Sequence, residues 1–305
     1  MMPGMRVFVS GAAGYIGGAV AGVLAAAGMA VTGGVRSAAP VPDGIDTLAT
    51  GDLADAAPDL SGFDHVVHAA GLGHRRGVAE SVWRRANIDA ATNVARAAKM
   101  AGVKTFVMVS TAHVYGRVHA GIVTDTTAPN PMDAYAASKL AAEARVAEIF
   151  GAGLVVLRPV AVIGPRCPGN LQLVMKLLAR RAPLPFGMIA NRRSFIEAGD
   201  LGRLVLAALR AEVAPSVLLA AHPETISTPD LIRGLARGMA AKPCLVPFPP
   251  GLLGLAAGAA GRAAMWQSLA GSFVADPQNA RALGWAPRET LAESLARTGA
   301  AFAVL

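Results

Sequence analysis

Gly11, Gly14 and Gly17 limit what this chain can fold into more than any other feature. They follow directly on Arg6-Val7-Phe8-Val9-Ser10, a short apolar run of the kind that forms a buried parallel strand. They open an apolar stretch that reads as a helix. In a strand–turn–helix of this type the first glycine permits the tight turn. The second lets the backbone approach a pyrophosphate, and the third lets helix and strand pack closely. The N–H groups of the helix start, around Tyr15, Ile16 and Gly17, then face the anion. A lone glycine triad is a weak signal, but with these flanks it predicts a dinucleotide-binding turn.

Residues 7–35 are almost uncharged and long enough to span a bilayer. Their glycines and their strand, turn, helix, strand punctuation argue against a span. Residues 251–260 are too short for one. No basic start is followed by a cleavable apolar segment, so the expectation is a cytoplasmic enzyme without a membrane partner. Cys167 and Cys244 have no metal or redox spacing and fit a reducing compartment; no metal site is expected. Lys and Arg exceed Asp and Glu by eight, which suits polyanionic ligands. With no lysine-rich run and no helix-turn-helix pattern, the expected polyanion is a dinucleotide or nucleotide sugar rather than nucleic acid.

Further strands are expected at residues 30–35, 64–70, 105–110, 155–158 and 217–220, with helices between them. An acid at the end of the second strand usually holds a free ribose 2′-hydroxyl. Val35 stands there instead, and Arg36 follows, which can pair a 2′-phosphate. NADP is therefore the favoured cofactor, with NAD as the alternative. Asp52 either reaches the adenine or caps the next helix, and Leu53 follows it. His68-Ala69-Ala70-Gly71 leaves room for a ligand at a strand end; His68 itself reads as packing. Residues 78–101 show helical periodicity with Asn87 inside. The face from residue 86 to 100 is a candidate homodimer surface, which core packing explains as well. Alternating strands and helices predict an α/β fold, a Rossmann-type doubly wound parallel sheet with its site at the carboxyl edge.

From Gly164 prolines cluster, marking a smaller mixed α/β substrate-binding part toward the C-terminus. The expected division is residues 1–163, with 192–222 returning to them, against 164–191 and 223–305. Thr228 is the expected N-cap of a helix with Pro229 in its first turn.

Tyr135 and Lys139 stand four apart on a helix beginning at Asp133, so phenol and ammonium share one face. A free tyrosine, with a pKa of about 10, is a poor base at neutral pH. A nearby cation is expected to lower that value and to let the pair move a proton to or from a sugar hydroxyl.

The chain resembles the extended short-chain dehydrogenase/reductase family in its nucleotide-sugar epimerase/dehydratase branch. The elements that carry the resemblance run nearly end to end. They are Gly11/Gly14/Gly17, Gly51-Asp52-Leu53, His68-Ala69-Ala70, Asn87, Ser110-Thr111, Tyr135/Lys139 and Leu157-Arg158-Pro159. The resemblance implies that Tyr135 is the general acid/base and that Lys139 tunes it and grips the nicotinamide ribose. Thr111 stands for the Ser/Thr that hydrogen-bonds the reacting oxygen. The cofactor-binding set it implies includes Asp52, Leu53, Ala69, Ala70, Asn87, Ser110 and Pro159. His113, Asn170 and Arg193 fall at substrate-binding places, Asn170 and Arg193 those of residues holding a nucleotide diphosphate.

Two departures narrow the activity. Ala112 and His113 replace the Asp-Glu pair with which 4,6-dehydratases eliminate water. Leu269-Ala270-Gly271-Ser272-Phe273 replaces the Arg-Arg-x-Gly-Asp stretch of many UDP-galactose 4-epimerases. Residues 169–201 and Leu283-Gly284-Trp285 look more like the bacterial branch that reduces UDP-linked 4-keto-6-deoxy-N-acetylhexosamines for surface polysaccharide. The expectation is an NADPH-dependent 4-ketoreductase, with an NAD-dependent UDP-sugar 4-epimerase as the alternative and a non-catalytic dinucleotide-binding protein as a second.

Overall fold

The computed structural model describes residues 4–73, 77–211, 214 and 216–304. Strand β1 (Arg6–Ser10) runs through the glycine turn into α1 (Tyr15–Ala26), then β2 (Ala30–Val35), β3 (Asp46–Ala49) and β4 (His65–His68). The next helix begins as α2 (Glu80–Trp83), widens into a π turn over Arg84–Asp89 and continues as α3 (Ala90–Met100). There follow β5 (Thr105–Val109), a 3-10 turn at Ala112–Tyr115, β6 (Ile122–Val123), α4 (Ala134–Phe150) and β7 (Leu154–Pro159). The later elements are β8 (Ala161–Ile163), α5 (Asn170–Ala179), β9 (Arg193–Glu197), α6 (Ala198–Arg210), β10 (Val217–Ala220) and β11 (Thr225–Ile226). The chain ends with α7 (Thr228–Gly238), α8 (Pro250–Ala259), α9 (Ala263–Ala270), β12 (Val274–Ala275), α10 (Gln278–Ala282) and α11 (Leu291–Ala303).

Seven strands form one sheet in the order β10-β7-β5-β4-β1-β2-β3, every neighbouring pair parallel. The order reverses between β1 and β4, and that is where a doubly wound Rossmann sheet binds its ligand. Both faces are covered, so the strands are apolar on both sides. Val7, Val9, Val107 and Val109 face one core, with Leu24 of α1 and Leu204 of α6. Phe8, Phe106 and Met108 face the other, with Val94 of α3 and Val146 of α4. Residues 217–220 join the main sheet as its last strand. β8 and β9 pair with each other, and β11 adds to β9, in a separate three-stranded sheet. A third core, including Ile163, Phe195, Ile232 and Leu295, lies among these elements, α5, α7 and α11. Among the described residues no helix is long and apolar enough to cross a membrane.

The expected cap at Thr228 moves by one residue. Ser227 caps α7, its hydroxyl accepting from Asp230 N at 3.2 Å. Thr228 is committed elsewhere: its hydroxyl donates to Leu269 O, and its N–H donates to Asn191 Oδ1 at 2.8 Å. A capping residue must keep its side chain for its own helix, and tertiary bonds took that role from Thr228.

Helices α7 and α11 touch backbone to backbone. A Cβ on Gly299 would lie 2.1 Å from Leu235 O, where no side-chain rotation relieves it. Gly299→Ala should therefore push the helices apart and cost ~1–3 kcal/mol. A urea unfolding midpoint equal to that of the wild type would contradict this packing.

Candidate active site

The glycine turn builds one wall of a cleft at the carboxyl edge of the sheet. Gly11 has φ +71°, and a Cβ there would come within 2.8 Å of Ala70 Cα. A Cβ on Gly17 would lie 2.2 Å from Gly11 O, so the helix start can sit this close only with glycine. Gly14 caps α1 without a side-chain bond, and the first turn carries no acid. The helix's first backbone bond runs from Gly18 N to Gly14 O at 2.8 Å. By helix geometry the N–H groups of Tyr15, Ile16 and Gly17 precede that bond, which suits an anion. The side chains of Tyr15 and Ile16 turn away. Tyr15 packs against the third core, where burial raises its pKa far above the ordinary value, and Ile16 packs into the first. Any part these two play at a cofactor is a backbone part.

The cleft encloses about 300 Å³. Its lining includes Gly11, Gly14, Leu53, Ala69 and Ala70, all expected there, together with Thr50 and Leu72, which were not. At its outer end stand Val35, buried, and Arg36, exposed. Asp52 also lines it. Its carboxylate accepts from Ala54 N at 3.0 Å; that bond, helped by the Arg36 and Arg85 charges, holds it below the usual carboxylate range. Arg85 itself pairs with Asp55 at 2.7 Å. The size, the close backbone approach and the open helix start fit a dinucleotide.

Asn87 sits in the π turn, a rare local widening that is frequent at functional sites. Buried, it does not line the cleft. Its Oδ1 accepts from Leu72 N at 2.8 Å and its Nδ2 donates to Ser138 Oγ at 2.9 Å. It therefore clamps the loop after β4 onto α4, one residue from Lys139. Ser10 does similar work: its hydroxyl lies 2.9 Å from His68 Nδ1 and accepts from Ala70 N at 3.2 Å. His68 is buried and stacked on Phe106, and burial pushes its pKa down to about 3, so it is a neutral packing residue.

Helix α4 starts at Asp133, whose carboxylate accepts from Ala136 N at 2.8 Å and pairs with Arg117 at 2.5 Å. Tyr135 is half-buried on its first turn. It lies against Trp83, ring centres 5.6 Å apart, and against the edge of His113 at 6.1 Å. Burial raises the Tyr135 pKa, and a hydrogen bond with Thr111 opposes the rise. Lys139 is buried and donates to Val109 O at 2.7 Å. Desolvation pulls its pKa down to about 8 against the attraction of Glu143. Burial thus raises the Tyr135 pKa where the sequence led to the expectation that Lys139 would lower it. Desolvation acts on both groups, and one N–H of the ammonium goes to the Val109 carbonyl.

Glu143, which the sequence reading did not single out, meets Arg158 of the Leu157-Arg158-Pro159 element. Glu143 and Arg158 are buried, and Arg158 donates to Glu143 through Nε at 3.2 Å and through a second nitrogen at 2.5 Å. Arg158 also donates to the Tyr115 hydroxyl at 2.6 Å. Ser110, expected at the cofactor, donates its hydroxyl to Glu143. The network ties α4 to β5 and β7, and Pro159, buried, closes β7 beside it. Position 143, four beyond Lys139, repeats the face of Tyr135 and Lys139, and that periodicity was the available signal.

Arg193, at the start of β9, is buried, and desolvation pulls its pKa down to about 10. It donates to Gly271 O at 2.9 Å, and no carboxylate pairs with it among the described residues. Its neighbour Arg192 is exposed and donates to Thr225 Oγ1 at 3.1 Å. Of the adjacent arginines, 193 is the inward one. Asn191 holds the same segment, donating to Leu269 O and Gly271 O at 2.9 and 3.0 Å. Asn170 is exposed at the start of α5. Among the described residues no cluster of His, Cys, Asp or Glu could hold a metal ion.

The family model of NAD-dependent epimerases and dehydratases matches residues 7–220. The chain belongs to that family. Over 97% of its length it is 28% identical to a UDP-glucose 4-epimerase of Vibrio cholerae, covering 95% of that protein. It is 30% identical to the dTDP-6-deoxy-L-talose 4-dehydrogenase (NAD(P)(+)) of Kitasatospora kifunensis, covering 95% of this chain and 93% of the other. Its fold matches a crystal structure of UDP-glucuronic acid 4-epimerase from Bacillus cereus with NAD, at a TM-score of 0.78 and 22% identity, over 98% of both chains. The family member described here is an enzyme of nucleotide-sugar chemistry, dependent on NAD or NADP.

Proposed function

We propose that this enzyme reduces the C4 carbonyl of a UDP-linked 4-keto sugar, using NADPH. The observation that carries the reading is Arg36 on the lining of the cofactor cleft, next to Val35 where a 2′-hydroxyl would need an acid. An NADP-selective site suits net reduction with an exchanging cofactor. An epimerase returns its hydride to the same sugar and has no need to exchange one.

Tyr135 carries its proton at neutral pH, as any phenol does whose pKa is not lowered, and is available as a donor. In this reading Tyr135 gives that proton to the C4 oxygen while Thr111 hydrogen-bonds the same oxygen. Bound NADPH supplies the hydride. Lys139, fixed on Val109 O, keeps its remaining N–H bonds for the nicotinamide ribose. Arg193 meets the diphosphate, since a buried guanidinium without a carboxylate is completed by an anionic ligand. Ala112 lacks the acid that dehydration needs. The UDP-sugar 4-epimerase is the second reading, supported by the nearly full-length likeness to the Vibrio cholerae protein.

Titration of the purified enzyme should show NADPH binding more tightly than NADH. Arg36→Ala should remove the preference with little effect on NADH. Tighter NADH binding by the wild type would sink the cofactor assignment and return the 4-epimerase to first place.

A further inference from the structure

Helix α8 is Pro-Gly-Leu-Leu-Gly-Leu-Ala-Ala-Gly-Ala, without one charged or hydrogen-bonding side chain. A helix apolar on all sides is ordinarily a buried one. No residue of α8 is buried, and none of α9 is. Leu252 is 55% exposed and Leu255 74%. Phe248 and Val246 extend the apolar surface toward the N-terminal side, and Met188 lies on the adjoining loop, where Gly187 N donates to Val246 O at 3.1 Å. At ten residues α8 spans about 15 Å, half a bilayer core, so it lies along a surface rather than across one.

The two stretches of chain that form this face carry charge of one sign, and the nearby Asp133 is already paired with Arg117, which reaches Ser268 of α9. Residues 164–194 carry six Lys or Arg and no Asp or Glu, and residues 239–275 carry two and none. Hydrogen bonds tie the two stretches together, Leu184 N to Cys244 O at 2.8 Å and Val246 N to Leu184 O at 2.9 Å. Arg180, Arg181, Lys242 and Arg262 are exposed on them. Self-association through this face would bring these cations together with no acid from either stretch to neutralise them. An anionic lipid surface answers both features: headgroups take the cations, and the headgroup–acyl boundary takes the leucines.

We propose that the α8–α9 face docks on the surface of an anionic bilayer.

The test uses the full-length protein with vesicles of phosphatidylglycerol and phosphatidylcholine, and with vesicles of phosphatidylcholine alone. Trp266 lies on α9, while Trp83 and Trp285 are buried, so tryptophan emission reports this face. The protein should sediment with the anionic vesicles only, its emission should shift to the blue, and added salt should weaken binding. Leu252→Gln/Leu255→Gln should weaken vesicle binding by about tenfold or more and keep wild-type NADPH affinity, which shows that it is folded. Absence of wild-type binding to anionic vesicles, or binding undiminished in the double variant, would overturn the proposal. So would a wild-type dimer that the double variant dissociates, since a second copy would then cover the face.

Discussion

Tyr135→Phe should lower turnover by ~10²-fold or more while leaving folding and NADPH affinity intact. Phenylalanine keeps the ring against Trp83 and His113, so packing is preserved. What is lost is the hydroxyl that bonds with Thr111 and that, in the proposed reaction, gives the proton. Thr111→Val should impair the same step, and Thr111→Ser should be largely tolerated, because only the hydroxyl is used. Stopped-flow oxidation of bound NADPH separates this step from binding. Normal turnover in Tyr135→Phe would make the Tyr-x-x-x-Lys spacing a coincidence.

The largest expected loss of stability is at a residue with no direct part in that step. Glu143→Ala leaves the buried Arg158 guanidinium with the Tyr115 hydroxyl and no counter-charge. Breaking such a pair from one side costs ~3–5 kcal/mol. Replacing both partners by apolar residues, Glu143→Leu with Arg158→Met, should recover most of that loss, and urea unfolding of the single and double variants measures it. Single variants as stable as the wild type would remove the network from the account. The milder Glu143→Gln reports on Lys139, whose proton Glu143 helps to hold. A lysine with its pKa near 8 keeps its charge below that pH and loses it as pH rises. NADPH affinity should therefore fall as pH rises through about 8, and in Glu143→Gln the fall should begin at lower pH.

The parts legible in the sequence are those fixed by neighbours in the chain. The Gly11/Gly14/Gly17 turn, the alternation of strands and helices, and the helix that begins at Asp133 all follow from local spacing. What was not legible depends on distant contacts. Arg158 was legible only as part of the Leu157-Arg158-Pro159 element, and it is the fold that brings Glu143 to it. The π turn around Asn87 has no local signature, because its periodicity merges with that of the flanking helix. The bond from the Ser110 hydroxyl to Glu143 likewise joins residues 33 apart in the chain. The Tyr135 pKa moved against expectation because spacing reveals a nearby cation, whereas burial is a property of the folded site.

The central claim is net hydride transfer to C4. The most direct measurement incubates the enzyme with a UDP-4-keto-6-deoxy-N-acetylhexosamine and NADPH deuterated at the transferred position, and follows the sugar by NMR. One NADPH and one proton should be consumed for each carbonyl reduced, with one deuterium appearing on C4 of the product alcohol. Interconversion of UDP-glucose and UDP-galactose on a tightly retained NAD, with no NADPH oxidised by the keto sugar, would contradict the claim.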